Sequence, residues 1–116
     1  MARKQIKTWI RLQKDVMGVP FKREVDAYLV TINGVQLAAH KSPPDQYGMA
    51  LWNLSDIHTG SKVGSKRSSL EQVIKLGRNF VKNLEKKFEK PFSQIIEEKQ
   101  KFWGDVNKLP LEEEIQ

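Results

Sequence analysis

The 116-residue chain contains no cysteine and only two histidines. Without thiols it has neither disulfides nor thiolate metal sites, a composition that suits a reducing compartment. A cytoplasmic location is therefore the expectation. His40 and His58 stand in no H-E-x-x-H or comparable frame, and no carboxylate spacing supports them. No metal, cofactor or catalytic role is expected from them, and the chain does not read as an enzyme. No apolar run approaches the roughly 20 residues of a bilayer span. The basic opening stretch also lacks the apolar segment of a secretory signal. The reading is a soluble chain with no membrane partner. Internal repeats and low-complexity linkers are absent as well.

What is present is an ordinary globular composition, 39% apolar and 29% charged. The length is enough for one core and hardly for two, so a single domain over 1–104 is expected. The remaining 105–116 form an acidic tail, with Glu112, Glu113 and Glu114, that is expected to be flexible. Charge is unevenly placed. Residues 1–24 carry +5, 25–64 carry −1, 65–90 carry +5 and 91–116 carry −3, for a net +6. Two basic blocks flank a nearly neutral middle, which favours polyanions through a sequence-independent field.

The period of the apolar residues changes along the chain. Ile6, Thr8, Ile10 and Leu12 alternate with Lys7, Trp9 and Arg11, as in a strand with one apolar face. Residues 25–32 and 35–40 are strand-prone and flank Asn33-Gly34, a pair suited to the positive φ of a type I′ turn. A two-residue turn sets Ile32 opposite Val35, Val30 opposite Leu37 and Tyr28 opposite Ala39 on one face. Ala27 and His40 fall on the other, where the imidazole reads as a surface group. Pro43, Pro44 and Asp45 break the ladder. A further strand is expected within 49–57, with at most a short one at 61–63.

From Ser68 the pattern becomes helical. Ser68 and Glu71 match a capping box. Leu70, Val73, Ile74, Phe80, Val81, Leu84 and Phe88 recur on one helix face. Pro91 ends or kinks that helix. A second stretch follows with Phe92, Ile95, Ile96 and Trp103 inward and Gly104 as its stop. The expected fold is α+β, with three to four antiparallel strands. One long C-terminal helix, kinked or split near Pro91, packs on one face of that sheet. Sheet-then-helix order also occurs in integrase arm-binding, plant AP2-type and double-stranded-RNA-binding domains. None of their motif residues can be assigned here, so that likeness carries no function.

Residues 60–66 invite comparison with a phosphate-binding P-loop but fail on spacing, with three residues between the glycines and serine before lysine. A looser feature remains. Lys62, Lys66 and Arg67 sit in a Gly/Ser loop that runs into a helix N-terminus, where free N–H groups and the dipole attract anions. Lys75, Arg78, Lys82 and Lys86 line one helix side opposite the apolar stripe, with almost no acid among them. In the first block Trp9 is set among Lys4, Lys7, Arg11 and Lys14, in position to stack a base if it is exposed, whereas the competing reading buries Trp9 and turns Ile10 outward.

These features point first to a small basic nucleic-acid-binding accessory protein of the kind phages and mobile elements encode. It would read the phosphate backbone of DNA or RNA with Lys62, Lys66, Arg67, Lys75, Arg78, Lys82 and Lys86, assisted by Lys7, Trp9 and Arg11. The alternative is a protein-interaction module, an inhibitor or adaptor of a nucleic-acid-handling partner. The sequence leaves the oligomeric state open.

Overall fold

The computed structural model describes residues 3–13, 17–42 and 47–114. Five antiparallel strands lie side by side in chain order: β1 (Gln5–Leu12), β2 (Phe21–Ile32), β3 (Val35–Lys41), β4 (Trp52–Asp56) and β5 (Lys62–Arg67). Two helices follow, α1 (Leu70–Phe88) and α2 (Phe92–Trp103), and then short 3-10 turns at Val106–Lys108 and Glu112–Glu114. The α+β order is as expected, but the sheet has five strands rather than three or four. The helical half is two helices. β2 starts at Phe21 rather than Val25, and the extra strand is β5, in a stretch expected to be mostly loop. The loop of Pro43, Pro44 and Asp45 lies outside the described residues.

Asn33 and Gly34 have φ of 48° and 81°, the paired positive values of a type I′ turn. Ile32 then pairs with Val35, Val30 with Leu37 and Tyr28 with Ala39, in the register the apolar pattern requires. α1 is capped by Ser69, whose Oγ accepts the Gln72 N–H at 3.2 Å. The cap is thus one residue later than the Ser68–Glu71 box. Ser68 donates to Gln72 Oε1 instead, and Glu71 faces Arg3 at 3.7 Å. α2 ends at Gly104, whose φ is 78° and whose N–H donates to the Gln100 carbonyl.

The main core lies between one sheet face and the helices. Val30, Ile32, Leu37, Leu54 and Val63 pack against Val73, Ile74 and Val81 of α1 and Phe92 and Ile96 of α2. Gly77 sets the closeness of that packing, because a Cβ there would run into Leu54 Cδ1. The helix therefore meets the sheet along Val73, Ile74, Gly77 and Val81. Phe80, expected in the core, is rotated to the flank, 39% exposed and lying over Gly64. Phe88 and Trp103 are also outside rather than inward, at 49% and 45% exposed. Both stand at helix ends, outside the main core cluster.

The second face of the sheet has no helix on it, yet Ile10, Ala27, Ala38, His40, Asn53 and Ser55 are buried there. The sheet curls until the end of β1 meets the β4–β5 turn, where Arg11 N–H donates to the Gly60 carbonyl at 2.9 Å. At Gly60, φ is 69° and a Cβ would sit 2.7 Å from both the Arg11 nitrogen and Val106 Cγ2. Curling explains why His40 is buried instead of being a surface imidazole. The C-terminal residues, expected as a flexible tail, lie along β2 through Glu114: Lys22 N–H donates to the Pro110 carbonyl and Arg23 pairs with Glu112 at 2.7 Å. Among the described residues no helix is long and apolar enough to cross a membrane.

Candidate functional site

Residues opposed in an antiparallel ladder share a face. The registers therefore put Gln5, Lys7, Asp26, Tyr28, Lys41, Trp52 and Arg67 on the helix side of the sheet. The helices cover Val30, Ile32, Leu37 and Leu54 but leave the outer part of this face as a groove of about 790 Å³. Lys7, Asp26, Tyr28, Lys41 and Trp52 are among its walls. Tyr28 and Trp52 form its floor, with ring centroids 6.1 Å apart and planes tilted by 35°. Both rings also pack on the core, which holds them still. Lys41 Nζ lies 5.5 Å from the Trp52 ring centre. Lys7 reaches Asp26 only at 4.0 Å, with both groups well exposed, so that pair binds weakly. Arg67 lies beside Trp52 in the ladder, and its Nη1 donates to the Lys66 carbonyl.

The opposite face holds a smaller cavity of about 170 Å³ beside the contact of β1 with the β4–β5 turn. Ile10, His40, Asn53, Ser55, Lys62 and Lys66 are among its lining residues. His40 Nε2 and Ser55 Oγ are 2.7 Å apart. Burial lowers the His40 pKa, partly opposed by the Lys41 carbonyl, and repulsion from Lys62 adds a smaller lowering. Lys62 is lowered too, by burial first and then by repulsion from Lys66.

The sequence-predicted residues are thus divided among separate surfaces. Lys62 and Lys66 share the small cavity, whereas Arg67, next in the chain, pairs with Trp52 on the helix side of the sheet. All three sit on a paired edge strand, not in a flexible loop before a helix. Lys75, Arg78, Lys82 and Lys86 are exposed along α1, and none has an acidic partner among the described residues. Arg11 is engaged inside the chain. Its Nε and Nη2 donate to the carbonyls of Thr59 and Trp103 at 3.0 and 2.8 Å, and its guanidinium lies over the Trp103 ring. Trp9 is half-buried beside a buried Ile10, with Lys22 Nζ 4.5 Å above the ring. Lys14 lies outside the described residues. Sequence reasoning missed Tyr28, Lys41 and Trp52 as a set. The signal was available only in part: the hairpin register put Tyr28 at the end of the apolar face, but nothing local aligned Trp52 with it.

Among the described residues no three His, Asp or Glu side chains are grouped to hold a metal ion. The chain matches no model of a known protein family, no curated protein and no solved structure.

Proposed function

We propose that this chain is a small nucleic-acid-binding protein that receives single-stranded DNA or RNA on the sheet groove. The observation that carries this reading is the Tyr28–Trp52 floor, half-open and bordered by Lys7 and Lys41, with Arg67 opposite Trp52 in the ladder. Every base has a π-face, so an aromatic floor binds bases of any sequence, while flanking cations neutralise the phosphates. The α1 row of Lys75, Arg78, Lys82 and Lys86 supplies a second phosphate-facing surface.

The test is fluorescence anisotropy with a labelled single strand and a labelled duplex at several salt concentrations. Trp52→Leu and Tyr28→Leu should each weaken single-strand binding by about 1–3 kcal/mol, the usual worth of one stacked base. Lys41→Gln should weaken it less and reduce its salt dependence. Absence of salt-sensitive binding to either probe by the intact protein overturns the reading.

One observation favours a second reading, a protein-interaction module. Phe102 is 83% exposed and makes an edge contact with Trp103, their centroids 5.5 Å apart. Aromatic residues of this kind are enriched at the anchoring centres of protein interfaces.

A further inference from the structure

Stacking on the Tyr28–Trp52 floor is indifferent to base identity, but the wall beside it is not. Asp26 is the one acidic residue lining the groove among the described residues. It stands two positions from Tyr28 on β2, on the same face, and opposite Lys7 of β1. Side chains so placed along a strand are about 7 Å apart, which leaves room for a hydrogen bond of about 2.9 Å beyond the edge of a stacked base. The Asp26 side chain is 89% exposed and that of Lys7 72%. Lys7 Nζ lies 4.0 Å from Asp26 Oδ1, beyond hydrogen-bond length, so the carboxylate oxygens and the ammonium protons stay open to a ligand.

An ammonium only donates and a carboxylate only accepts. The wall therefore presents, in order, one donor and two acceptors. The pairing edges of the bases answer that order differently. Guanine carries an acceptor at O6 and then donors at N1–H and N2–H, and it matches at all three places. Adenine begins with a donor at N6 and sets the N1 lone pair against the carboxylate. Cytosine does the same with N4 and N3. Uracil and thymine hold one N–H between two carbonyls, so a carbonyl faces a carboxylate oxygen. Setting acceptor against acceptor costs more than omitting a bond. Single strands leave this edge free to be read, whereas a duplex occupies it. A cationic ligand fits poorly, because Lys7 and Lys41 outnumber Asp26 in the wall.

We infer that the groove selects guanine, stacked on the Tyr28–Trp52 floor with O6 on Lys7 and with N1–H and N2–H on Asp26. Base identity is thereby added to the proposed single-strand binding, on which it rests. The selection also gives Asp26 a role. A carboxylate in a basic groove repels phosphate, and that cost is offset only for the base it pairs with.

The experiment is an anisotropy competition with the whole protein, a labelled oligothymidine, and unlabelled oligothymidines carrying one central guanine, hypoxanthine, adenine or cytosine. Guanine should bind about five- to 150-fold more tightly than adenine or cytosine, the discrimination of one bidentate pair. Hypoxanthine keeps O6 and N1–H but lacks the N2 amino group, and should fall between. Asp26→Asn, at an exposed position, should keep the fold, abolish the guanine preference and strengthen binding of plain oligothymidine. Free guanosine monophosphate should compete more weakly than the guanine oligonucleotide, which adds neighbouring phosphates. Equal competition would overturn the strand as the source of the base. Salt-sensitive binding of oligothymidine with no gain from guanine overturns the selection and leaves single-strand binding in place. So does a guanine preference that survives Asp26→Asn. No binding of any oligonucleotide overturns both.

Discussion

Glu85 on α1 accepts the backbone N–H of Phe92 at 2.7 Å, which satisfies one of the open donors at the start of α2. Its other oxygen accepts Asn33 Nδ2 at 2.9 Å, so one carboxylate joins the hairpin turn, the long helix and the second helix. Glu85→Ala should cost about 1–3 kcal/mol in stability, because a charge-assisted hydrogen bond to a partly buried N–H is lost. Glu85→Gln should recover part of that loss. Urea unfolding of the three proteins measures it, and three equal midpoints would show that the carboxylate contributes nothing.

The hairpin turn gives a cleaner test of backbone conformation. Nothing lies within 4 Å of where a Cβ on Gly34 would be, but its φ is 81°. Gly34→Val should therefore destabilise by about 1–3 kcal/mol through dihedral strain alone, with no clash to relieve. Thermal melting detects this, and an unchanged Tm would mean that the turn relaxes freely.

Core truncations should rank by contact with the sheet, not by side-chain size. Leu54→Ala removes a side chain that is 1% exposed and should cost about 2–5 kcal/mol. Phe80→Ala, at 39% exposed, should cost less than Leu54→Ala despite deleting more atoms. Lys82→Ala, on the outer face of α1, should be close to neutral. Denaturant midpoints give the order, and a Phe80 cost above that of Leu54 would contradict the helix orientation.

His40 makes stability depend on pH. Burial outweighs the opposing Lys41 carbonyl and lowers its pKa from the ordinary 6.5, so the folded chain favours the neutral imidazole. Below pH 6.5 the unfolded chain binds a proton that the folded chain refuses. The contribution is therefore fully present above 6.5 and is lost as pH falls from there through the folded-state value. Melts between pH 8 and 5 should show falling Tm, and His40→Gln should flatten the lower part of that profile. An unchanged slope in the variant would assign the loss to other groups.

Lys66 and Arg67 are adjacent in sequence but serve different faces, so their substitutions should separate. Arg67→Ala should weaken single-strand binding and reduce the slope of log affinity against log salt by about 0.7, one phosphate contact on a single strand. Lys66→Ala should leave that binding nearly unchanged. Anisotropy at four salt concentrations resolves the two, and identical losses would place both residues on one binding surface.

Elements defined by local chemistry were legible in the sequence. Asn33-Gly34 fixed the hairpin and its register, Pro91 separated the helices, and Gly104 ended the second. Elements defined by distant partners were not. Residues 62–67 have the Gly, Ser and Lys composition of a loop and become β5 only through pairing with β4, with a register shift between Trp52 and Leu54. Helical periodicity placed the apolar side of α1 correctly but could not foresee that Gly77 would hold the centre of contact and move Phe80 aside. The buried polar set of His40, Asn53 and Ser55 depends on the sheet's curl, which arises from β1 meeting the residues around Gly60. The basic residues were visible individually. Their division between two faces required the strand register.

One peptide group on each sheet margin is engaged by the chain itself. At β1, the Arg11 N–H is used by Gly60, and at β5, Lys99 Nζ donates to the Lys62 carbonyl at 3.1 Å. Gly64, at φ 78°, bends the β5 margin, and Lys62, Lys66 and Arg67 crowd it with like charge. A foreign strand is thereby denied the straight row of open peptide groups on which it would template itself. Self-association by strand exchange and growth into fibrils are both discouraged without lengthening the chain. Partner recognition is thereby weighted toward side chains projecting from the two faces and away from main-chain pairing.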